Sequence, residues 1–253
     1  MRTILVLIII FFGLLTGSFL NVLIHRLPRK ESVALPPSRC PACGRRLRVG
    51  DLVPVLSYII LLGRCRHCRI PISPRYPLVE LLSVGIFLLL YLHFGLSTSL
   101  IVHLFLQLLL LVIAFIDLEH RRVPNILIVI GFAFGLCFQL FFSQHGWGQA
   151  LAGMFLGGGI FLLIIVISRG GMGAGDMKLM ALVGFYLGLA DTLMVIFFAF
   201  VFGGLSSIVL LLLKQRSRRD YLPFAPFIAL AVFVTLFWGR EVWTWYLSLA
   251  RLH

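Results

Sequence analysis

The sequence predicts an all-α polytopic membrane protein with about eight transmembrane helices and a small zinc-binding cytoplasmic loop domain. Of the 253 residues, 60% are hydrophobic and 12% are charged, and the mean hydropathy of +1.06 excludes an ordinary soluble domain. The apolar segments are continuous runs and lack the alternating pattern of an outer-membrane barrel, so helices are the expected spanning elements. Four of the five cysteines fall in one long basic loop.

Eight apolar segments are long enough, or nearly long enough, to cross a bilayer. In chain order, we expect spans at residues 4–24, 78–96, 99–117, 125–143, 149–168, 177–190, 192–213 and 224–247. The sixth is the shortest. Three domains follow from this pattern: a first helix at 1–24, a loop domain at 25–77 and a seven-helix domain at 78–253.

The distribution of basic residues sets the orientation of these spans. With the loop from His25 to Pro77 in the cytoplasm, 19 of the 22 lysines and arginines lie on the cytoplasmic side. Cleavage of the first span as a signal peptide would instead leave a loop with eleven basic residues outside, so we expect an uncleaved helix. The net charge of +13 therefore indicates cytoplasmic loops and not nucleic-acid binding.

The loop domain contains two C-x-x-C pairs, which predict a structural zinc site. The ligands are Cys40, Cys43, Cys65 and Cys68. Four thiolates complete a tetrahedral shell and hold together a segment too small to build its own core. Disulfides are the alternative, but they are rare in the cytoplasm. The fifth cysteine, Cys137, lies inside an apolar span and is expected to pack there.

Two aspartates are candidates for catalysis because each lies at the end of an apolar run on the predicted cytoplasmic face. Asp117 ends one run, and Asp176 lies in the glycine-rich stretch 170–180. Carboxylates within hydrogen-bond reach share a proton, so such a pair can activate water as an aspartyl protease does. Alternatively, the acids form ion pairs with nearby basic side chains or a proton or cation relay in a transporter. The pair alone does not decide between these interpretations.

Two further acids lie near the cysteines in sequence: Asp51 is between the two cysteine pairs, and Glu80 follows the second pair. Asp51 opens an apolar patch that runs to Leu61 and is a candidate for lying on the membrane surface. Glu80 lies at the start of the second span. A catalytic role is one interpretation, but we favour an ion pair with a loop arginine or a hydrogen bond.

An ordered set of motifs resembles the bacterial type IV prepilin leader peptidases with N-methyltransferase activity, a family of G-x-G-D aspartyl membrane proteases. The resemblance covers nearly the whole chain. Its motifs are Gly17-Ser-Phe-Leu-Asn21, Arg26-Leu-Pro28, the paired cysteines, Pro54-Val-Leu-Ser57, Ser73-Pro-Arg-Tyr-Pro-Leu-Val-Glu80, Asp117-Leu-Glu119 with Pro124, and Gly173-Ala-Gly-Asp176-Met-Lys178-Leu179.

The resemblance implies a two-step enzyme of the bacterial inner membrane, with catalytic aspartates at Asp117 and Asp176. Such an enzyme removes the basic leader from prepilins and type II secretion pseudopilins, then methylates the new N-terminus with S-adenosylmethionine. Membrane lipid is the other expected partner. Asp51 and Glu80 are the candidate cofactor-binding residues. The family usually has asparagine where this chain has Leu52, so a peptidase without methyl transfer stays open.

Overall fold

All regular elements among the described residues of this computed structural model are helical. The structure describes residues 2–142, 146–169, 171–213 and 222–250. The helices are α1 (Arg2–Arg26), α2 (Leu56–Ile60), α3 (Arg75–Phe94), α4 (Thr98–His120), α5 (Asn125–Phe142), α6 (Trp147–Ile167), α7 (Ala174–Leu212) and α8 (Ala225–Ala250). Within these ranges, every helix except α2 is long and apolar enough to cross a membrane. The predicted fold class is confirmed.

The chain divides into two compact units, Met1–Leu100 and Ile101–His253. The first contains α1, the cysteine loop with α2, and α3. The second contains nearly all of α4 and the helices that follow it. Gly170, from the predicted glycine-rich stretch, lies outside the described residues, as do residues 214–221 between the seventh and eighth predicted spans.

In the first unit, α1 and α3 form an antiparallel pair. A Cβ atom on Gly17 would lie 2.6 Å from the Cα atom of Glu80, so only glycine permits this approach. Nearer the loop, the Asn21 side chain donates a hydrogen bond to the carbonyl oxygen of Tyr76 at 3.0 Å. Residues farther along α1 thus face residues nearer the start of α3, which places both ends of the cysteine loop together.

In the second unit, α7 reverses direction at Gly188. The backbone there has φ 77° and ψ −177°, a conformation outside the helical region. A Cβ atom on Gly157 of α6 would lie 2.5 Å from the Met180 carbonyl oxygen and 3.3 Å from the Thr192 side chain. A straight helix would separate residues 180 and 192 by about 18 Å. The two arms of α7, residues 174–187 and 189–212, therefore fold back on each other.

The arms of α7 correspond to the predicted sixth and seventh spans. The prediction placed their boundary near residue 191, whereas the reversal occurs at Gly188. The first arm also begins earlier than predicted, at Ala174. Counted as continuous helices the candidate spans number seven among the described residues, and counting both arms of α7 gives eight.

Candidate active site

The start of α7 lies against the turn that joins α4 to α5. The Lys178 ammonium donates a hydrogen bond to the Asn125 side-chain oxygen at 3.0 Å. A Cβ atom on Gly175 would lie 2.8 Å from Cβ of Val123. Asp117 lies one helical turn before the end of α4, and Asp176 lies in the first turn of α7. Both carboxylates therefore belong to the same end of the second unit.

Asp117 is buried and bound to the start of α8. The residue is 1% exposed, and its Oδ2 atom accepts a hydrogen bond from the Ala225 backbone N–H at 3.2 Å. Ala225 is the first residue of α8. The first N–H groups of a helix have no partner within the helix, so a carboxylate satisfies one of them. This bond holds Asp117 in place.

An aromatic cluster fixes the position of that helix start. The Phe224 ring lies 5.8 Å from the Phe161 ring of α6 and 5.4 Å from the Phe200 ring of the second arm of α7, measured between centroids. Aromatic pairs at such separations stabilise packing beyond the area they bury. The hydrogen-bond donor for Asp117 is thus supported by two other helices.

Asp176 is also buried, with 1% of its residue surface exposed. Its N–H donates to the carbonyl oxygen of Gly173, the residue before the helix begins, at 3.1 Å. An acid in the first turn of a helix is favoured by the aligned backbone dipoles. The close approach of Val123 explains why the preceding residue, Gly175, carries no side chain.

The four loop cysteines form one cluster. All four sulfur atoms lie within 4.8 Å of one another, and the Cys40 and Cys68 sulfurs are 3.8 Å apart. Zinc bound tetrahedrally at 2.3 Å would separate its thiolates by about 3.8 Å. The two pairs have matching backbone turns. The Cys40 N–H donates to the carbonyl oxygen of Arg45, and the Cys65 N–H donates to the carbonyl oxygen of Ile70, each at 2.9 Å. The donor set fits structural zinc.

The thiols in this cluster do not ionise alike. Backbone N–H groups of Cys68 and His67 donate to the Cys65 sulfur and lower its pKa to about 6. The Ile70 N–H lowers the pKa of Cys68, but burial and the neighbouring thiols outweigh this effect and raise it to about 11. A second thiolate beside the first is costly without a cation, so metal binding is coupled to release of the remaining protons.

Asp51 holds two parts of the loop together. Its carboxylate accepts hydrogen bonds from the Arg48 N–H at 3.1 Å and from the Arg66 guanidinium at 2.9 Å. Burial acts to raise the pKa of Asp51, but these two donors outweigh it and the pKa lies below its ordinary value. Arg66 lies inside the second cysteine pair, so Asp51 links that pair to the short 3-10 turn Val49–Leu52.

Glu80 is buried at the start of α3 and accepts a hydrogen bond from the Val55 N–H at 2.7 Å. Asp51 and Glu80 therefore both bind the loop's own backbone, on different segments. The two predicted cofactor-binding residues thus hold different segments of the loop, and these contacts alone identify no site for S-adenosylmethionine.

Comparison with known proteins supplies the family. Residues 11–94 match the bacterial peptidase A24 N-terminal domain, and residues 104–208 match the type IV leader peptidase family. A prepilin leader peptidase/N-methyltransferase of Stutzerimonas stutzeri is 34% identical over 95% of this chain and 93% of its own length. The Bacillus subtilis protein of the same name is 32% identical over 96% and 98%. This chain belongs to the type IV leader peptidase family. No solved structure matches it.

Each of the two family matches falls within a different structural unit. The A24 N-terminal match lies within the first unit and includes the cysteine cluster, Asp51 and Glu80. The type IV leader peptidase match lies within the second unit and includes Asp117 and Asp176.

One contact of Asp117 was missed by the sequence analysis. Ala225, whose N–H binds Asp117, lies about a hundred residues further along the chain and has no side-chain function of its own. The signal available was Pro226, because proline favours the first turn of a helix. It indicates where α8 begins, but not which side chain its first N–H meets.

Proposed function

We propose that this chain removes the basic leader from prepilins and pseudopilins by a two-aspartate mechanism at the cytoplasmic face of the bacterial inner membrane, and then methylates the new N-terminus. Membership of the leader peptidase family over nearly the full length carries the proposal. Two buried acids at one end of the second unit support it. We assign the catalytic roles to Asp117 and Asp176.

In the proposed cleavage, the two carboxylates share one proton. The ionised one takes a proton from a water molecule, while the protonated one donates a hydrogen bond to the scissile carbonyl oxygen. The Ala225 N–H fixes the orientation of Asp117 while charge moves between the two groups. The apolar helix of the substrate would lie in the bilayer, with its basic leader in the cytoplasm.

In the proposed methyl transfer, S-adenosylmethionine supplies the methyl group to the amine that cleavage exposes. The names of the relatives support this second activity. We propose that the loop domain, residues 25–77, is associated with it and that the helices of 78–253 carry out cleavage. Zinc held by Cys40, Cys43, Cys65 and Cys68 would stabilise the loop without taking part in either reaction, since the four thiolates leave no open position.

The deciding experiment measures the intact mass of a prepilin-like substrate incubated with the purified protein, with and without S-adenosylmethionine. The wild-type protein should remove the leader in both mixtures and add one methyl group only with the methyl donor. Asp117→Asn and Asp176→Asn should each slow leader removal by about a hundredfold or more. Leader loss without methylation would establish the peptidase alone.

Asp191→Asn is the matched control, because Asp191 also lies in α7 but follows the reversal at Gly188. It should cleave at the wild-type rate. Comparable thermal unfolding of all three variants would show that they fold. Cleavage at wild-type rates by either Asp117→Asn or Asp176→Asn would rule out the two-aspartate mechanism.

A further inference from the structure

The short helix α2 presents an apolar face that nothing in the described part of the chain covers. Leu56, Ile59 and Ile60 are 57%, 60% and 73% exposed, and Leu62 just beyond the helix is 84% exposed. Positions i, i+3 and i+4 lie on one side of a helix, so the first three form a single surface. These residues belong to the loop between α1 and α3 and not to a candidate span.

The opposite side of α2 is fixed to the loop. Ser57 and Tyr58 are half-buried, and the Tyr58 hydroxyl donates to the carbonyl oxygen of Ile72 at 3.4 Å. The Tyr58 carbonyl oxygen accepts the Gly63 N–H at 2.8 Å. Because the polar side is held this way, the apolar face cannot turn inward without breaking these contacts.

The start of α2 is held at the level of the first turns of α3. Glu80 lies five residues into α3, about 8 Å along a candidate membrane span. Its carboxylate binds the N–H of Val55, the residue immediately before α2. The first turn of α2 therefore lies within one side chain's reach of a residue inside the span.

The backbone that Glu80 holds is strained. Val55 has φ 60° and ψ −50°, and the Leu56 N–H donates to the Pro54 carbonyl oxygen at 2.6 Å. This is a three-residue turn with a positive φ at a β-branched residue, which is rare and costly. Such strain persists only where surrounding contacts fix it. Here the Glu80 hydrogen bond fixes the direction in which α2 leaves the turn.

The loop that carries this face is strongly basic. Residues 25–77 contain eleven lysines and arginines but only two acids, Glu31 and Asp51. Two exposed arginines flank the apolar face in sequence: Arg48 precedes the 3-10 turn that contacts α2, and Arg64 follows the helix. Basic residues close to an anionic membrane surface are attracted to its lipid headgroups. Charge and apolar area together match anionic phospholipid.

We propose that α2 is an interfacial helix that docks the loop of residues 25–77 onto the anionic membrane surface where α3 enters the bilayer. Leu56, Ile59 and Ile60 insert among the headgroups and the first acyl carbons, and the flanking arginines bind lipid phosphates. Amphipathic helices with this division of apolar and basic residues lie in the plane of the interface. In the docked loop, the α2 side always faces the lipid.

The test places a fluorescent reporter on the proposed contact. Full-length Ile60→Trp is reconstituted into nanodiscs with and without lipids brominated near the headgroup, and the wild-type emission is subtracted in each case. We expect brominated lipid to lower the added emission about twofold or more. Replacing phosphatidylglycerol with phosphatidylcholine should reduce this quenching, and Arg64→Gln should reduce it in the anionic discs.

Arg45→Trp is the position control, because Arg45 lies beside the cysteine cluster and contacts His67. Its added emission should respond to iodide in the water more than to brominated lipid. Leu56→Trp repeats the test if Ile60→Trp loses zinc. Iodide quenching at Ile60→Trp as strong as at Arg45→Trp, with no effect of brominated lipid, would overturn the proposal. Quenching independent of lipid charge would overturn the part played by the arginines.

Discussion

Asp51 shows how one carboxylate can stabilise a loop that has almost no apolar core. Its side chain is 5% exposed, whereas the Arg66 side chain that binds it is 45% exposed. The pKa of Asp51 is lowered in the folded protein, so its contribution to stability is present above the ordinary value of about 3.9. That contribution is lost as the pH falls through the lower, folded value.

The substitution Asp51→Asn tests whether this residue acts on structure or on a cofactor. At pH 7 it should lower loop stability by about 1 kcal/mol, since the charged partner of Arg66 is removed. Zinc release to a chelator should accelerate about fivefold. The difference from wild type should vanish in strongly acidic buffer.

Arg66→Gln is the matched control, because it breaks the same ion pair from the other side. If Asp51 only holds the loop, both variants should change methylation equally. A rise in the KM for S-adenosylmethionine with Asp51→Asn but not with Arg66→Gln would show instead that Asp51 contacts the cofactor.

The two aspartates and four cysteines were identifiable from sequence because charge inside an apolar chain and paired thiols are each rare. Their surroundings were not. The positive φ of Val55 contradicts the preference of a β-branched residue, so no local pattern predicts it. The bond from Ala225 to Asp117 joins residues 108 positions apart, and only packing brings them together.

At the level of the helices, the reversal in α7 depends on Gly188. With φ 77° and ψ −177°, this residue occupies a region that side chains avoid. Hydropathy predicted two spans here because the apolar run is long enough for two. It placed the boundary at the nearest polar residue, Asp191, and missed Gly188 three residues earlier, because the decisive property is a backbone angle.

Gly188→Ala should destabilise the second unit by about 1–3 kcal/mol, because the new side chain is strained at this φ. Thermal unfolding in detergent measures the effect. Gly204→Ala is the control, because Gly204 lies in the second arm of α7. Among the described residues, no neighbouring atom lies within 4 Å of the position that a Cβ atom would take there. That variant should be neutral or stabilised by up to about 1 kcal/mol. Equal effects of both substitutions would contradict a special role for Gly188.

For the whole molecule, zinc should matter mainly to the first unit, since all four candidate ligands lie there. Cys40→Ser and Cys65→Ser should each lose bound zinc and show faster amide hydrogen exchange across residues 27–74. Structural zinc sites often supply most of the folding energy of a small segment. Methylation should fall, and cleavage should be reduced but not abolished.

Cys137→Ser is the control for this experiment, because Cys137 lies in α5 and outside the cluster. It should keep its zinc and its exchange pattern. Normal zinc content in Cys40→Ser or Cys65→Ser would contradict the four-cysteine site.

The reversal at Gly188 also bears on how the protein is made. The first arm of α7 is about 21 Å long, shorter than the roughly 30 Å of a bilayer's hydrocarbon core. When it leaves the ribosome alone, it is too short to be released into lipid as a stable spanning helix. We therefore expect the first arm to be stable in the bilayer only once the second arm has been synthesised and can pack against it, so that Asp176 and the second arm are inserted together.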